Sequence, residues 1–268
     1  MRDATRNRTR RAAALVLSAI VGLAGLPQAA TAFQFNNGDL VLAIYGNSTE
    51  FYYDVGNQAT VLAPGAETTV NISGLPGAPF GNSSVVNGPQ TQWSIVGRNP
   101  IPATPAANGI FVYAGSQTNS AGISIVPSIS GTNGNIQTWN SALNASTGAT
   151  PIGPGAQVFL SSNDPASYTT KFGLDGTLGG QWNGGGMQGS LGDVLTMIQG
   201  QARTAGGLTN VLSDVGRAVL SVDGQLSICG GAGCSVAAVP LPGGVVLFVT
   251  GLIGLVGLAR RKLTHQSV

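Results

Sequence analysis

The chain has 268 residues, of which only 8% are charged, and its formal net charge is +2. The cations cluster at the two ends, because residues 33–234 hold four Lys and Arg against nine Asp and Glu, a net charge of −5. An acidic domain without a basic cluster argues against nucleic acid as a partner. The only histidine is His265. Catalytic triads that need histidine are therefore excluded from the central domain.

The first 32 residues have the layout of a secretory signal. Residues 1–11 carry five arginines and one aspartate, and residues 12–26 form an apolar core. Ala30 and Ala32 then provide the small-x-small pattern that signal peptidase cleaves. We expect residues 1–32 to form a signal helix for Sec export, so that the exported domain comprises residues 33–235.

Short β-branched and aromatic runs alternate with Gly-, Asn- and Ser-rich loops through the central domain. This pattern predicts a mainly β, β-sandwich-like domain with one or two short helices. The first two runs predict a hairpin with a four-residue turn, in which Glu50 and Asp54 are solvated acids on the outer face. The predicted strands are Leu40–Tyr45, Glu50–Val55, Thr68–Ile72, Trp93–Val96, Ile110–Ala114, Gly122–Val126 and Gln157–Leu160.

One helix is predicted at Ile136–Ala145, where apolar residues recur at i, i+3 and i+7 and Asn133 or Asn135 would cap the start. The apolar stretch Leu191–Ile198 fits either a helix or a strand, and we favour a strand. The tryptophans lack matching flanks, so we interpret them as core residues rather than as marks of a repeat. They are Trp93, Trp139 and Trp182.

A hairpin is expected to close the domain. Asp223 and Gly224 lie between two apolar runs, which predicts a two-residue type I′ turn with Leu220 opposite Ser227. The first strand should be interior to the sheet and the second should be nearer an edge. The predicted strands are Arg217–Val222 and Gln225–Cys229.

Cys229 and Cys234 are the only two cysteines. In an oxidising, exported compartment a pair this close predicts a small disulfide loop at the end of the last strand. A metal site would need two more ligands, and the central domain offers no histidine to supply them. We therefore expect neither a metal nor a cofactor.

Residues 236–268 have the layout of a membrane-directed tail. A proline motif at 239–242 precedes an uncharged apolar segment at about 243–259, and a basic tail follows at 260–268. The apolar segment predicts a transmembrane helix, with its basic end on the cytoplasmic side. The pattern consists of Val239, Pro240, Leu241, Pro242 and Gly243, followed by Arg260, Arg261 and Lys262.

This order of motif, apolar helix and basic cluster resembles the PEP-CTERM sorting signal, and more closely its VPLPA-type variant. Leu241 stands where the parent motif has glutamate, and Gly243 stands where the variant commonly has alanine. The resemblance implies recognition and cleavage near the proline motif by an exosortase-type enzyme, after transient residence in the inner membrane. A permanent single-span anchor is the alternative.

Two functions remain compatible with the sequence. The first is a non-catalytic surface or extracellular-matrix protein of a Gram-negative bacterium, associated with exopolysaccharide and biofilm. The second is a secreted carbohydrate-active enzyme delivered by the same signal. The exported domain has only two glutamates, Glu50 and Glu67. Glu50 and Asp54 on one strand would lie about 13 Å apart, too far for a glycosidase acid pair.

Overall fold

The structure, a computed structural model, describes residues 33–46, 48–75, 91–100, 110–123, 128–147, 153–174, 176–182, 186–203 and 209–236. The strands are β1 (Asp39–Tyr45), β2 (Thr49–Asn57), β3 (Glu67–Asn71), β4 (Gln92–Pro100), β5 (Ile110–Ser116), β6 (Gln157–Ser161), β7 (Gly189–Ser190), β8 (Val194–Arg203), β9 (Thr209–Leu220) and β10 (Gln225–Gly230). The α-helices are α1 (Gln58–Val61), α2 (Ile129–Thr147) and α3 (Tyr168–Phe172). The mainly β prediction is confirmed.

All ten strands belong to one antiparallel sheet in the order β3-β10-β9-β8-β5-β4-β1-β2-β6, with β7 paired to β4. Phe51 on β2 and Leu226 on β10 lie near opposite ends of this order, yet both belong to one hydrophobic cluster. The sheet must therefore curl until its distant strands share a core. This single curled sheet differs from the predicted β-sandwich, which would pack two sheets face to face.

The sheet buries apolar side chains on both faces. Along β1 the side chains alternate between the two faces, and all seven residues are buried. The inner core, on the concave face, includes Leu40, Leu42, Ile44, Phe51, Trp93, Ile95, Leu195, Met197, Ala218, Leu220, Leu226 and Ile228. The outer core, on the other face, includes Val41, Ala43, Tyr45, Tyr52, Val96, Val112, Ile136, Trp139, Leu143, Tyr168, Phe172 and Trp182.

Helix α2 covers the outer face and is longer than the predicted helix. It begins at Ile129, where the Ser128 hydroxyl accepts a hydrogen bond from the Gly131 N–H at 3.2 Å. Asn133 and Asn135 therefore lie inside the helix, and the prediction that one of them caps it is wrong. Instead Asn135 Nδ2 donates to the Leu178 carbonyl at 3.1 Å, which ties the polar first half of α2 to the loop after α3.

An aromatic cluster joins α2 to the sheet and to α3. The Trp139 ring lies 5.4 Å from Phe35, 5.4 Å from Tyr52, 5.6 Å from Tyr168 and 5.4 Å from Phe172, centroid to centroid. Its Nε1–H donates to the Ala166 carbonyl at 3.0 Å, so the buried indole keeps a polar partner. All three tryptophans are fully buried, which confirms that they are core residues.

The strand predictions are confirmed in most places. The first hairpin forms with Ile44 opposite Phe51, the register that the predicted four-residue turn requires, although β2 begins one residue earlier than predicted, at Thr49. The stretch Leu191–Ile198 contains the start of β8, preceded by a turn. Gly122 ends a short 3₁₀ helix and Ile123 follows it outside any strand, so the prediction at 122–126 fails where the structure describes it.

The closing hairpin forms, but with a different turn. Leu220 pairs with Leu226, one residue out of the predicted register, and the Gly224 N–H donates to the Ser221 carbonyl at 3.1 Å. Only Gly224 has positive φ, at 83°, whereas a type I′ turn needs positive φ at Asp223 as well. The Ser221 N–H donates to the Gln225 carbonyl at 2.9 Å, so three residues, 222–224, lie between this last bonded pair, and the third is a left-handed glycine. The shift places Leu220 in the inner core beside Leu226.

Two alanine variants distinguish the observed turn from the predicted one. Gly224→Ala should lower the free energy of unfolding by about 1–2 kcal/mol, because alanine at positive φ clashes with its own backbone. Asp223→Ala should change it by less than about 0.5 kcal/mol, because Asp223 does not have positive φ. Chemical denaturation measures both values, and equal losses at the two positions would instead support the two-residue turn.

Candidate functional site

The acids of β2 are buried, so the prediction that they are solvated is wrong. Glu50 and Asp54 are both 0% exposed. They lie on the same face of β2 as Tyr52, and that face packs against the outer core rather than against water. The predicted alternation of β2 is therefore present, but both of its faces are covered. Such burial is rare for a carboxylate unless hydrogen bonds compensate it.

Glu50 is held at the start of α3 by four donors. Its Oε2 accepts from the Tyr168 N–H at 2.7 Å and from the Tyr52 hydroxyl. Its Oε1 accepts from the Thr169 N–H at 3.2 Å and from the Thr169 hydroxyl. The first amides of a helix have no partner within the helix, so this carboxylate satisfies donors that would otherwise be buried and unpaired.

Burial sets the electrostatics of this cluster. Removal from water raises the pKa of Glu50, and the hydrogen bonds from Thr169 and Tyr52 partly oppose that rise. The pKa of Tyr52 is well above its ordinary value, first because of burial and then because of the nearby Glu50 charge. Tyr52 therefore keeps its proton and remains a donor to the carboxylate.

Asp39 and Asp54 form a second buried acid site, where β1 and β2 shift register. Burial, and then the charge of Asp39, raises the pKa of Asp54 to about 7, while a hydrogen bond from the Gly56 N–H opposes the rise. That N–H donates to Asp54 Oδ1 at 2.9 Å, and Oδ2 has no donor in the described part of the chain. The nearby charge of Asp39 and the lack of water around Asp54 therefore both favour the neutral form of the Asp54 carboxyl.

The geometry of these acids suits structural roles. Both Glu50 oxygens are occupied by internal donors, and Asp54 contacts Asp39 rather than open space. Glu50 and Asp54 are four residues apart on one strand, about 13 Å at about 3.3 Å per residue, beyond either glycosidase spacing. Within the described ranges, no group of three or more His, Cys, Asp and Glu could hold a metal ion.

The predicted disulfide is present. Cys229 and Cys234 are joined with a Cα–Cα distance of 6.1 Å, within the usual range. The bond joins Cys229, inside β10, to the turn after this strand. At the same place the Gly230 N–H donates to the Ala66 carbonyl at 2.9 Å and the Gly231 N–H donates to the Val215 carbonyl at 2.8 Å. The end of the last strand is therefore fixed both covalently and by hydrogen bonds.

The sorting and cleavage residues lie outside the described residues. These are Ala30 and Ala32 at the start, and Val239, Pro240, Leu241, Pro242, Gly243, Arg260, Arg261 and Lys262 at the end. In the part of the chain that the structure does describe, no helix is long and apolar enough to cross a membrane. The predicted signal helix and transmembrane helix stay predictions.

Sequence reasoning missed the roles of Glu50, Asp39 and Asp54. One local signal was available, since Glu50 and Asp54 share their face with Tyr52, an aromatic residue suited to a core. The partner of Glu50 could not be found that way, because Tyr168 is 118 residues away in sequence. Comparisons of the chain with protein families, curated proteins and solved structures give no match.

Glu50→Gln should destabilise the fold by about 1–3 kcal/mol, because four donors point at the carboxylate oxygens of Glu50. Each carboxylate oxygen faces a backbone N–H that cannot turn away, so the amide of glutamine must oppose one of them with a donor. Denaturant unfolding measures the loss. Glu67→Gln is the matched control on the exposed edge strand β3 and should be nearly neutral. An equal loss of stability in the two variants would show that the buried Glu50 contributes no more to folding than the exposed Glu67.

Asp54→Asn should make stability less dependent on pH. Because the folded pKa of Asp54 is raised to about 7, its contribution is complete below the unfolded value of about 4 and is lost as pH rises through about 7. The wild type should lose up to about 1.4 kcal/mol per pH unit in that window from this group. Asparagine stays uncharged at every pH and so avoids the cost of a buried charge beside Asp39, which makes the variant the more stable protein at pH 8.

Unfolding curves at pH 5, 6, 7 and 8 measure this difference. Asp223→Asn, in the exposed turn, serves as the control and should keep the wild-type pH dependence. An equal pH dependence of stability in the wild type and in Asp54→Asn would contradict the raised pKa of Asp54.

Proposed function

We propose that the chain is a non-catalytic, exported surface or extracellular-matrix protein of a Gram-negative bacterium. Sec export would remove residues 1–32, and an exosortase-type enzyme would process the chain near the proline motif. The β domain would then remain at the cell surface or in the matrix, in association with exopolysaccharide. Signal peptidase, the processing enzyme and transiently the inner membrane are its expected partners.

The disulfide is the observation that carries this proposal. Disulfides persist in exported compartments and are rare in the reducing cytosol. The bond between Cys229 and Cys234 closes the described fold, and Cys234 lies five residues before Val239, where the proline motif begins. A covalently fixed domain end next to a sorting motif suits a domain that is released after cleavage of its tail.

The buried acids favour a non-catalytic role over the alternative of a carbohydrate-active enzyme. A glycosidase needs two carboxyls that reach substrate from opposite sides of the scissile bond. Glu50 is fully occupied by hydrogen bonds from β2 and α3, and Asp54 shares its site with Asp39. The acids of β2 therefore support folding rather than an acid–base mechanism.

The tail is tested by expression of the full chain in two strains, one with and one without the exosortase-type enzyme. With the enzyme, mass spectrometry should find a product that lacks the residues after the proline motif, outside the inner membrane. Without the enzyme, the full-length chain should stay in the inner-membrane fraction.

A double variant, Pro240→Ala with Pro242→Ala, should accumulate uncleaved in the enzyme-containing strain. A full-length wild-type protein that keeps Arg260, Arg261 and Lys262 in both strains would instead establish a permanent anchor.

A further inference from the structure

An uncharged patch lies on the inner face of the sheet, at the end where β4 and β8 finish and β5 and β9 begin. The register places Asn99 opposite Phe111, Phe111 opposite Gln201, and Gln201 opposite Val211, so these four residues form one row across four strands. Tyr113 and Gln199 form part of the next row. We call this patch the amide face: Asn99, Phe111, Tyr113, Gln199, Gln201 and Val211.

The amide face combines two aromatic side chains that are held in place with side-chain amides that can bond a ligand. Tyr113 is 3% exposed and its hydroxyl accepts a hydrogen bond from Gln199 Nε2 at 2.8 Å. Phe111 is half-buried and packs against the inner core, which fixes its ring. Asn99 and Gln201 are also half-buried, and their side-chain amides form no hydrogen bond with any described residue. Val211 is 38% exposed at the end of the row.

This chemistry matches an uncharged sugar polymer. A carboxamide both donates and accepts hydrogen bonds, as a sugar hydroxyl does, whereas an aromatic ring packs against the apolar C–H face of a pyranose. Neighbouring strands are about 4.8 Å apart, so Asn99 and Gln201 flank Phe111 at that distance on either side. None of the six residues of the amide face is charged. Arg203 occupies the next row of this face, but the net charge of −5 on the domain, from four Lys and Arg against nine Asp and Glu, disfavours an anionic polymer.

We propose that the amide face binds a neutral polysaccharide. One pyranose ring lies over Phe111, and Asn99 and Gln201 bond the hydroxyls on its two sides. The proposal rests on the proposed function in one respect, since the exported domain must meet polysaccharide outside the cell. The contacts themselves involve no residue of the tail.

The test uses the full chain in non-ionic detergent and affinity electrophoresis in native gels. The gels contain dextran, hydroxyethylcellulose or galactomannan as neutral polymers, and alginate as an anionic one. The wild type should be retarded by at least one neutral polymer more than by alginate. Gln201→Ala and Asn99→Ala should each weaken that binding about fivefold, which corresponds to one lost hydrogen bond. Phe111→Leu keeps an apolar side chain but should also weaken it.

Gln225→Ala is the control, because Gln225 is an exposed glutamine on β10 outside the amide face, and it should bind as the wild type does. No retardation by any of the three neutral polymers would overturn the proposal. Unchanged binding in Gln201→Ala and Asn99→Ala, or stronger binding to alginate, would overturn it as well. Tail cleavage is measured separately in cells, so a failure of polysaccharide binding would not contradict the sorting proposal. Likewise, protein that is not cleaved in cells but binds a neutral polymer in the gels would contradict the sorting proposal and not the binding role of the amide face.

Discussion

The contact between Glu50 and the first turn of α3 is the interaction on which the outer half of the fold depends. Helix α3 has five residues, too few to be stable alone. Its first amides donate to a carboxylate on β2, and its Tyr168 and Phe172 side chains pack around Trp139 of α2. One buried acid thus connects strand, short helix and long helix, and the aromatic cluster excludes the water that would weaken the contact.

This arrangement leaves the two faces of the sheet with different uses. The outer face is covered by α2, α3 and their aromatic side chains, and its Glu50 accepts hydrogen bonds from inside the domain. The inner face fills its concavity with apolar side chains, and β4, β5, β8 and β9 carry the amide face at one end of it. This division is compatible with the proposed role among matrix polymers.

Local patterns predicted most strands and the disulfide, because alternation, turn residues and close cysteines act over a few positions. The predicted register of the closing hairpin is wrong by one residue. Asp223-Gly224 fits two turn types, and only the packing of Leu220 beside Leu226 decides between them. The start of α2 was missed because its polar first half shows little periodicity of its own. The burial of Glu50 depends on Tyr168 and Thr169, and no local pattern reports a contact across more than a hundred residues.

Amide hydrogen exchange at Tyr168 and Thr169 tests the central contact most directly. Amides in the first turn of a short helix ordinarily exchange fast, because they have no partner within the helix. Here both donate to the buried Glu50 carboxylate. The account predicts that they exchange as slowly as the amides of the central strands β1 and β4. Exchange as fast as that of exposed loop amides would contradict it.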